Sequence, residues 1–141
     1  MAARRRSRHR AVQMLYQVEM QHMPPLLAFE NYYGSLFDEE NESRPRRDAF
    51  AEHLVQGVLD RSKEIDEQIQ KHSEHWRIER MPVVDRNILR IAVLEMLQGK
   101  TPAPIVIDEA LELARRFSGE ESVGFLNGVL DAIRKDLSSQ T

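Results

Sequence analysis

The chain has 141 residues, with 20 Lys and Arg against 23 Asp and Glu, 41% hydrophobic residues and no cysteine. That length fits one domain or two small subdomains sharing a core. The composition is too apolar for a disordered chain, and the missing thiols exclude disulfide frameworks and thiolate metal sites. The longest apolar runs, such as Ile91-Ala92-Val93-Leu94, are far short of a membrane span. No apolar stretch of the secretory kind follows the basic N-terminus, so a cytoplasmic protein with no membrane association is expected.

Helical periodicity dominates, and no two-residue alternation points to a strand. The first helix is expected from about Arg4 to Met23, stopped by Pro24-Pro25, with an apolar stripe of Ala11, Val12, Leu15, Val18 and Met14. A less regular second helix runs through Leu27, Phe29, Tyr33 and Leu36, and "DEENESRP" at 38–45 reads as an acidic loop. A long helix is expected from Arg47 to His72, burying Phe50, Leu54, Val58, Leu59, Ile65 and Ile69 at three- and four-residue steps. After the connector "HWRIERM", Pro82 suits a first helical turn. "VVDRNILRIAVLEML" is apolar nearly all round and should form the buried centre of the second half. Gly99 ends it, and Thr101-Pro102-Ala103-Pro104 leads stiffly into a helix burying Ile107, Ala110, Leu111, Ala114 and Phe117, which Gly119 stops. The last helix presents Leu126, Val129, Leu130, Ile133 and Leu137. The expected fold is all-α, with about seven helices in two packed bundles, an N-terminal subdomain 1–72 and a C-terminal subdomain 82–141 joined around 73–81.

Motifs that would carry chemistry are weak. "GKT" at Gly99–Thr101 matches the end of a phosphate-binding loop, but the glycine required five residues before Gly99 is replaced by Leu94. His72, His75 and Glu79 could share a helix face, without zincin spacing. The acid pairs Asp108-Glu109 and Glu120-Glu121 sit near helix starts, where carboxylates favour the dipole. No catalytic residue, cofactor or metal is expected, and no enzyme.

The charge distribution is more informative. "RRRSRHR" at 4–10 holds five arginines and no acid, so the chain without its first ten residues carries a net charge of −8. Arginine makes planar, bidentate contacts with phosphate and stacks on bases, which makes a dense cluster a nucleic-acid footprint. A solvated basic tail is the plainer explanation. At about 100° per residue, Phe125 lies at the edge of the last helix's apolar stripe, with Gly124 before it and Gly128 one turn on. A ring so placed can either widen the core stripe or stack on an unpaired base.

"RRRSRHRAVQMLYQ", "FAEHLVQGVLD", "VDRNILRIAVLEML" and "APIVIDEALELARRFSGEESVGFLNGVLDAI" resemble, in order and spacing, the NusB family of transcription antitermination factors, from about Arg4 to Ile133. The resemblance implies an all-α fold of two helical bundles. It also implies binding to the boxA segment of ribosomal RNA leader transcripts, jointly with the ribosomal protein NusE, within the RNA polymerase antitermination complex. Carried over by position, Arg4, Arg5, Arg6 and Arg8 would contact phosphates and bases, Gln13 and Tyr16 would lie next along the helix, and Phe125 would stack. The family's protein partner docks on the second half, where Asp85, Arg86 and Glu95 are the exposed polar candidates. Family members occur as monomers and as homodimers. Gly124 departs from a position often basic in relatives, and Asp108 from one often asparagine. Related domains fused to RNA methyltransferases carry a cofactor-binding domain, and with the sequence ending at Thr141 that function is not expected here. The competing function is a protein-binding helical adaptor with a basic tail and no specific RNA.

Overall fold

The computed structural model describes residues 2–35 and 47–139, so the acidic segment 38–45 and Leu36 lie outside the described residues. Among the described residues there are seven α-helices, one short 3-10 helix and no strand: α1 Ala2–Gln21, α2 Pro25–Ser35, α3 Ala49–Asp60, α4 Ser62–Lys71, the 3-10 turn Ile78–Arg80, α5 Val83–Gln98, α6 Ala103–Phe117 and α7 Glu120–Ser139. The chain divides into two compact units, Met1–Gln56 and Gly57–Thr141.

In the first unit α1 packs on α2. Ala11, Val12, Met14, Leu15, Ala28, Phe29 and Tyr32 are buried. The chain leaves α1 through His22 in the left-handed region, at φ 53°. Pro24 and Pro25, which lack an amide hydrogen, then restart it, and the Ala28 amide donates to the Pro24 carbonyl at 3.1 Å. Asp48 caps α3, its Oδ1 accepting the Ala51 amide at 3.0 Å.

The second unit is built round α5, which packs against α4, α6 and α7. Ile88, Leu89, Ile91, Ala92, Val93 and Leu94 are all buried, as expected of a helix apolar nearly all round. Val106, Ile107, Ala110, Leu111 and Ala114 of α6 and Leu126, Val129, Leu130 and Ile133 of α7 complete the core. Gly57, the first residue of the second unit, lies against α5: a Cβ there would stand 2.8 Å from Leu94 Cδ2, inside van der Waals contact. Gly99 closes α5 in the left-handed conformation, φ 69°, and its amide donates to the Glu95 carbonyl at 3.1 Å. Gly119, at φ 129°, turns the chain between α6 and α7, its amide on the Ala114 carbonyl.

Three expectations need correction. The helix from Arg47 to His72 is two helices, interrupted at Arg61 (φ −113°, ψ 23°). Helical bonds persist on both sides, from the Arg61 amide to Gly57 and from the Ile65 amide to Arg61, and neither proline nor glycine stands at the break to signal it. The division of the chain falls at 56/57 rather than 73–81, because α4 packs on α5 and belongs with the second unit. Phe117 is 39% exposed. It is the last residue of α6, and the Arg116 guanidinium lies 5.6 Å from its ring centroid.

Candidate nucleic-acid surfaces

Of the arginines in "RRRSRHR", Arg4, Arg5 and Arg6 are exposed, but Arg8 is only 5% exposed. Arg8, expected to meet RNA directly, therefore has little exposed surface with which to do so. The reason is helical spacing: Arg8 stands one turn before Val12 and two before Leu15, on the face that α1 buries. Its guanidinium lies 5.8 Å from the centre of the Phe50 ring, and that of Arg4, one turn earlier, lies 4.6 Å from the same ring. The aromatic face attracts both cations, and the arginine stems cover apolar surface.

Arg10 is likewise engaged, in an ion pair of 3.2 Å with Asp48. Asp48 also accepts from the Ser7 hydroxyl at 2.9 and 2.8 Å while capping α3. One carboxylate thus ties the basic helix to the start of α3. Beside it the Tyr33 hydroxyl accepts the Asp48 amide and donates to Glu52, each at 2.6 Å. Burial first, and then the bond to Glu52, push Tyr33 up to about 12. Burial alone would raise Glu52, but hydrogen bonds from Arg47 and Tyr33 outweigh it and hold the carboxyl below its ordinary value.

The opposite face of α1 is different. At about 100° per residue, Arg5, Arg6, Gln13 and Tyr16 fall within an arc of about 100° facing away from Ala11 and Leu15, and all four are exposed. Gln13 is held in place by the Tyr32 hydroxyl, which donates to its Oε1 at 2.7 Å. The structure thus gathers four of the expected residues on one face, while Arg8 is buried against Phe50 and Arg4 lies over the same ring yet stays exposed.

In the second unit Phe125 is half-buried, at the edge of the α7 stripe. Gly124 and Gly128 are exposed, and a Cβ at either would meet nothing within 4 Å, so the helix surface beside the ring is open. The Trp76 ring meets Phe125 edge to face, with centroids 6.4 Å apart and planes at 66°. Trp76 lies in the connector "HWRIERM", where helical periodicity assigns it no role. Its signal was the chain's single tryptophan standing between a histidine and an arginine.

Asp85 and Glu95, expected to be exposed, are 3% and 4% exposed. Asp85 accepts hydrogen bonds from Ser118 through Oδ1 and from Ser122 through Oδ2, fastening the α6–α7 turn to the start of α5. Arg86 is half-buried and donates to the carbonyls of Glu79 and Met81, both at 3.2 Å. Asp85 and Glu95 are buried because they stand on sides of α5 that its neighbours cover, whereas Arg86 keeps part of its surface. His72 Nε2 lies 3.1 Å from Asp136 Oδ2. Among the described residues no group of three His, Asp or Glu side chains is placed to hold a metal ion. Asp108 sits beyond the first turn of α6, whereas Glu120 and Glu121 begin α7. No helix is long and apolar enough to cross a membrane among the described residues.

A sequence model of the NusB family matches residues 5–135. The chain is 54% identical over 137 residues to the transcription antitermination protein NusB of Solibacter usitatus, covering 97% of this chain and 92% of that protein. It is 47% identical over 138 residues to that of Koribacter versatilis, with the same coverage. Among solved structures it resembles the antitermination factors NusB and NusE in complex with double-stranded RNA, with a TM-score of 0.79 at 30% identity, covering 96% of this chain and 98% of that one. It also resembles NusB of T. maritima, with a TM-score of 0.78 at 34% identity, covering 94% and 90%.

Proposed function

The chain belongs to the NusB family, and on that footing we propose that it acts in transcription antitermination by binding boxA-type single-stranded RNA of ribosomal RNA leaders together with a NusE-type ribosomal protein. The observation that carries RNA and NusE binding is the likeness, along 96% of the chain, to a NusB crystallised with NusE and double-stranded RNA. The single-stranded form is proposed on the aromatic residue at the edge of α7. The exposed face of α1 and the half-buried ring of Phe125, with open helix surface beside it, supply the chemistry: guanidinium groups for phosphates and an aromatic surface for a base. Arg4, Arg5, Arg6, Gln13, Tyr16 and Phe125 are the proposed RNA contacts, and Arg8 supports them by filling the space against Phe50.

The protein partner is proposed to dock on the second unit. Of the three α5 candidates only Arg86 keeps surface for it. The acidic remainder of the chain suits a basic ribosomal protein, since complementary charge steers encounter and selects partners. The proposed role is non-enzymatic and cytoplasmic, as part of the RNA polymerase antitermination complex. Fluorescence anisotropy of labelled boxA-like RNA, with and without the NusE-type protein, tests it. Expected is a preference for boxA over a scrambled strand of equal composition, sharpened by the partner. Equal affinity for both strands under both conditions would replace it with the adaptor function.

A further inference from the structure

Trp76 is 54% exposed, although its large apolar ring is of the kind that chains usually cover. Its backbone is fixed nonetheless. The Trp76 amide donates to the Ser73 carbonyl at 3.0 Å, and the Trp76 carbonyl accepts from Gln70 Nε2 at 3.0 Å and Ser73 Oγ at 3.3 Å. Gln70 Oε1 also receives the Ile78 amide at 3.0 Å, so one side chain ties both sides of the connector to α4. Ser73 is itself buried, its hydroxyl also donating to the Ile69 carbonyl at 2.8 Å. An exposed ring on a backbone held this firmly loses little freedom when a ligand covers it, which favours binding.

We propose that Trp76 is a second base-stacking residue, forming with Phe125 a two-ring platform for consecutive unpaired bases of single-stranded RNA. This rests on the function proposed above, because Phe125 is the ring assigned there to stacking. The geometry selects the form of RNA. The rings meet at 66° with centroids 6.4 Å apart, so bases lying on both faces are turned sharply from each other. Neighbouring bases in a duplex are nearly parallel and cannot occupy both rings, whereas splayed bases of a single strand can. The missing side chains at Gly124 and Gly128 leave room beside Phe125, and the exposed Arg77 follows Trp76 in the chain and offers a cation to the phosphates.

Trp76 is the only tryptophan, so its fluorescence in the full chain reports on this ring alone. Single-stranded boxA-like RNA is titrated while tryptophan emission and the anisotropy of end-labelled RNA are both followed. Expected is a change in emission saturating with the same midpoint as the anisotropy. Trp76→Ala should weaken binding about 5- to 150-fold, the equivalent of ~1–3 kcal/mol for one base–aromatic stack, with unchanged circular dichroism. Trp76→Phe should restore most of the loss. Normal anisotropy with unchanged emission, or with unchanged affinity of Trp76→Ala, would overturn the role of Trp76 and leave the proposed function standing. No binding by anisotropy at any concentration would overturn both.

Discussion

The two units approach the same proposed ligand with different physics. The first offers cations on one face of α1, with Arg5 and Arg6 beside Gln13 and Tyr16. The second offers aromatic rings, Phe125 and Trp76, on an open stretch of α7 and its neighbouring connector. Charge attracts any phosphate backbone and weakens with salt, whereas a stack needs an unpaired base and is nearly blind to salt. The contrast teaches that residue type alone does not assign a role. Arg8 and Arg10 belong to the same run as Arg5 and Arg6, yet Phe50 and Asp48 hold them within the fold.

The largest effect should come from an acid that serves the fold. Asp85→Lys removes two charge-assisted hydrogen bonds and places a cation where Asp85 is buried, which should cost at least ~3 kcal/mol. Urea denaturation measures it, and near-parental stability would show that Asp85 is a surface group after all. Phe125→Ala comes next. RNA affinity should fall by ~1–3 kcal/mol, while stability falls by only ~1 kcal/mol for the lost contact with Trp76. A stability loss of several kcal/mol with intact affinity would return the ring to the core.

Arg8→Ala should reverse that pattern in the first unit, reducing stability by ~1–2 kcal/mol through the lost ring contact and stem packing, with RNA affinity and its salt dependence unchanged. A lower salt slope in this variant would place Arg8 on a phosphate. The smallest effect concerns acid. The Glu52 carboxyl is held below its ordinary value, so the stability it contributes is complete above about pH 4.3 and is lost as pH falls through the folded value. Between neutral pH and about pH 3, Glu52→Gln should therefore lose less stability than the parent, by under ~1 kcal/mol for a pair whose arginine is exposed. Thermal melts across that range check the sign.

Most of the helices were legible because their apolar residues recur at helical spacing and their ends carry strong signals: Gly99 and Gly119 stop helices where expected, while α1 ends at Gln21, two residues before the expected Met23, and α6 already starts at Ala103 within the expected connector. The break at Arg61 was not, since the hydrogen-bonded ladder and the hydrophobic period continue on both sides of it. The burial of Asp85 and Glu95 was hidden for a related reason. A polar residue within an apolar helix reads as its exposed edge, and only the packing of α4, α6 and α7 round α5 reveals that Asp85 and Glu95 do not stand on one. Phe125 stood out because glycines flank it, whereas Trp76 depends on a connector whose shape is set by Gln70 and Ser73, which periodicity does not register.

The salt dependence of RNA affinity separates the charged surface from the aromatic one most directly. With Arg4, Arg5 and Arg6 meeting phosphates, the logarithm of affinity for a boxA-like single strand should fall against the logarithm of salt with a slope near −2, at ~0.7 per neutralised phosphate. The triple change of Arg4, Arg5 and Arg6 to alanine should bring that slope close to zero, while Phe125→Ala should lower affinity at every salt concentration and leave the slope as in the parent. A triple variant that keeps the parental slope would contradict the assignment of these arginines to RNA.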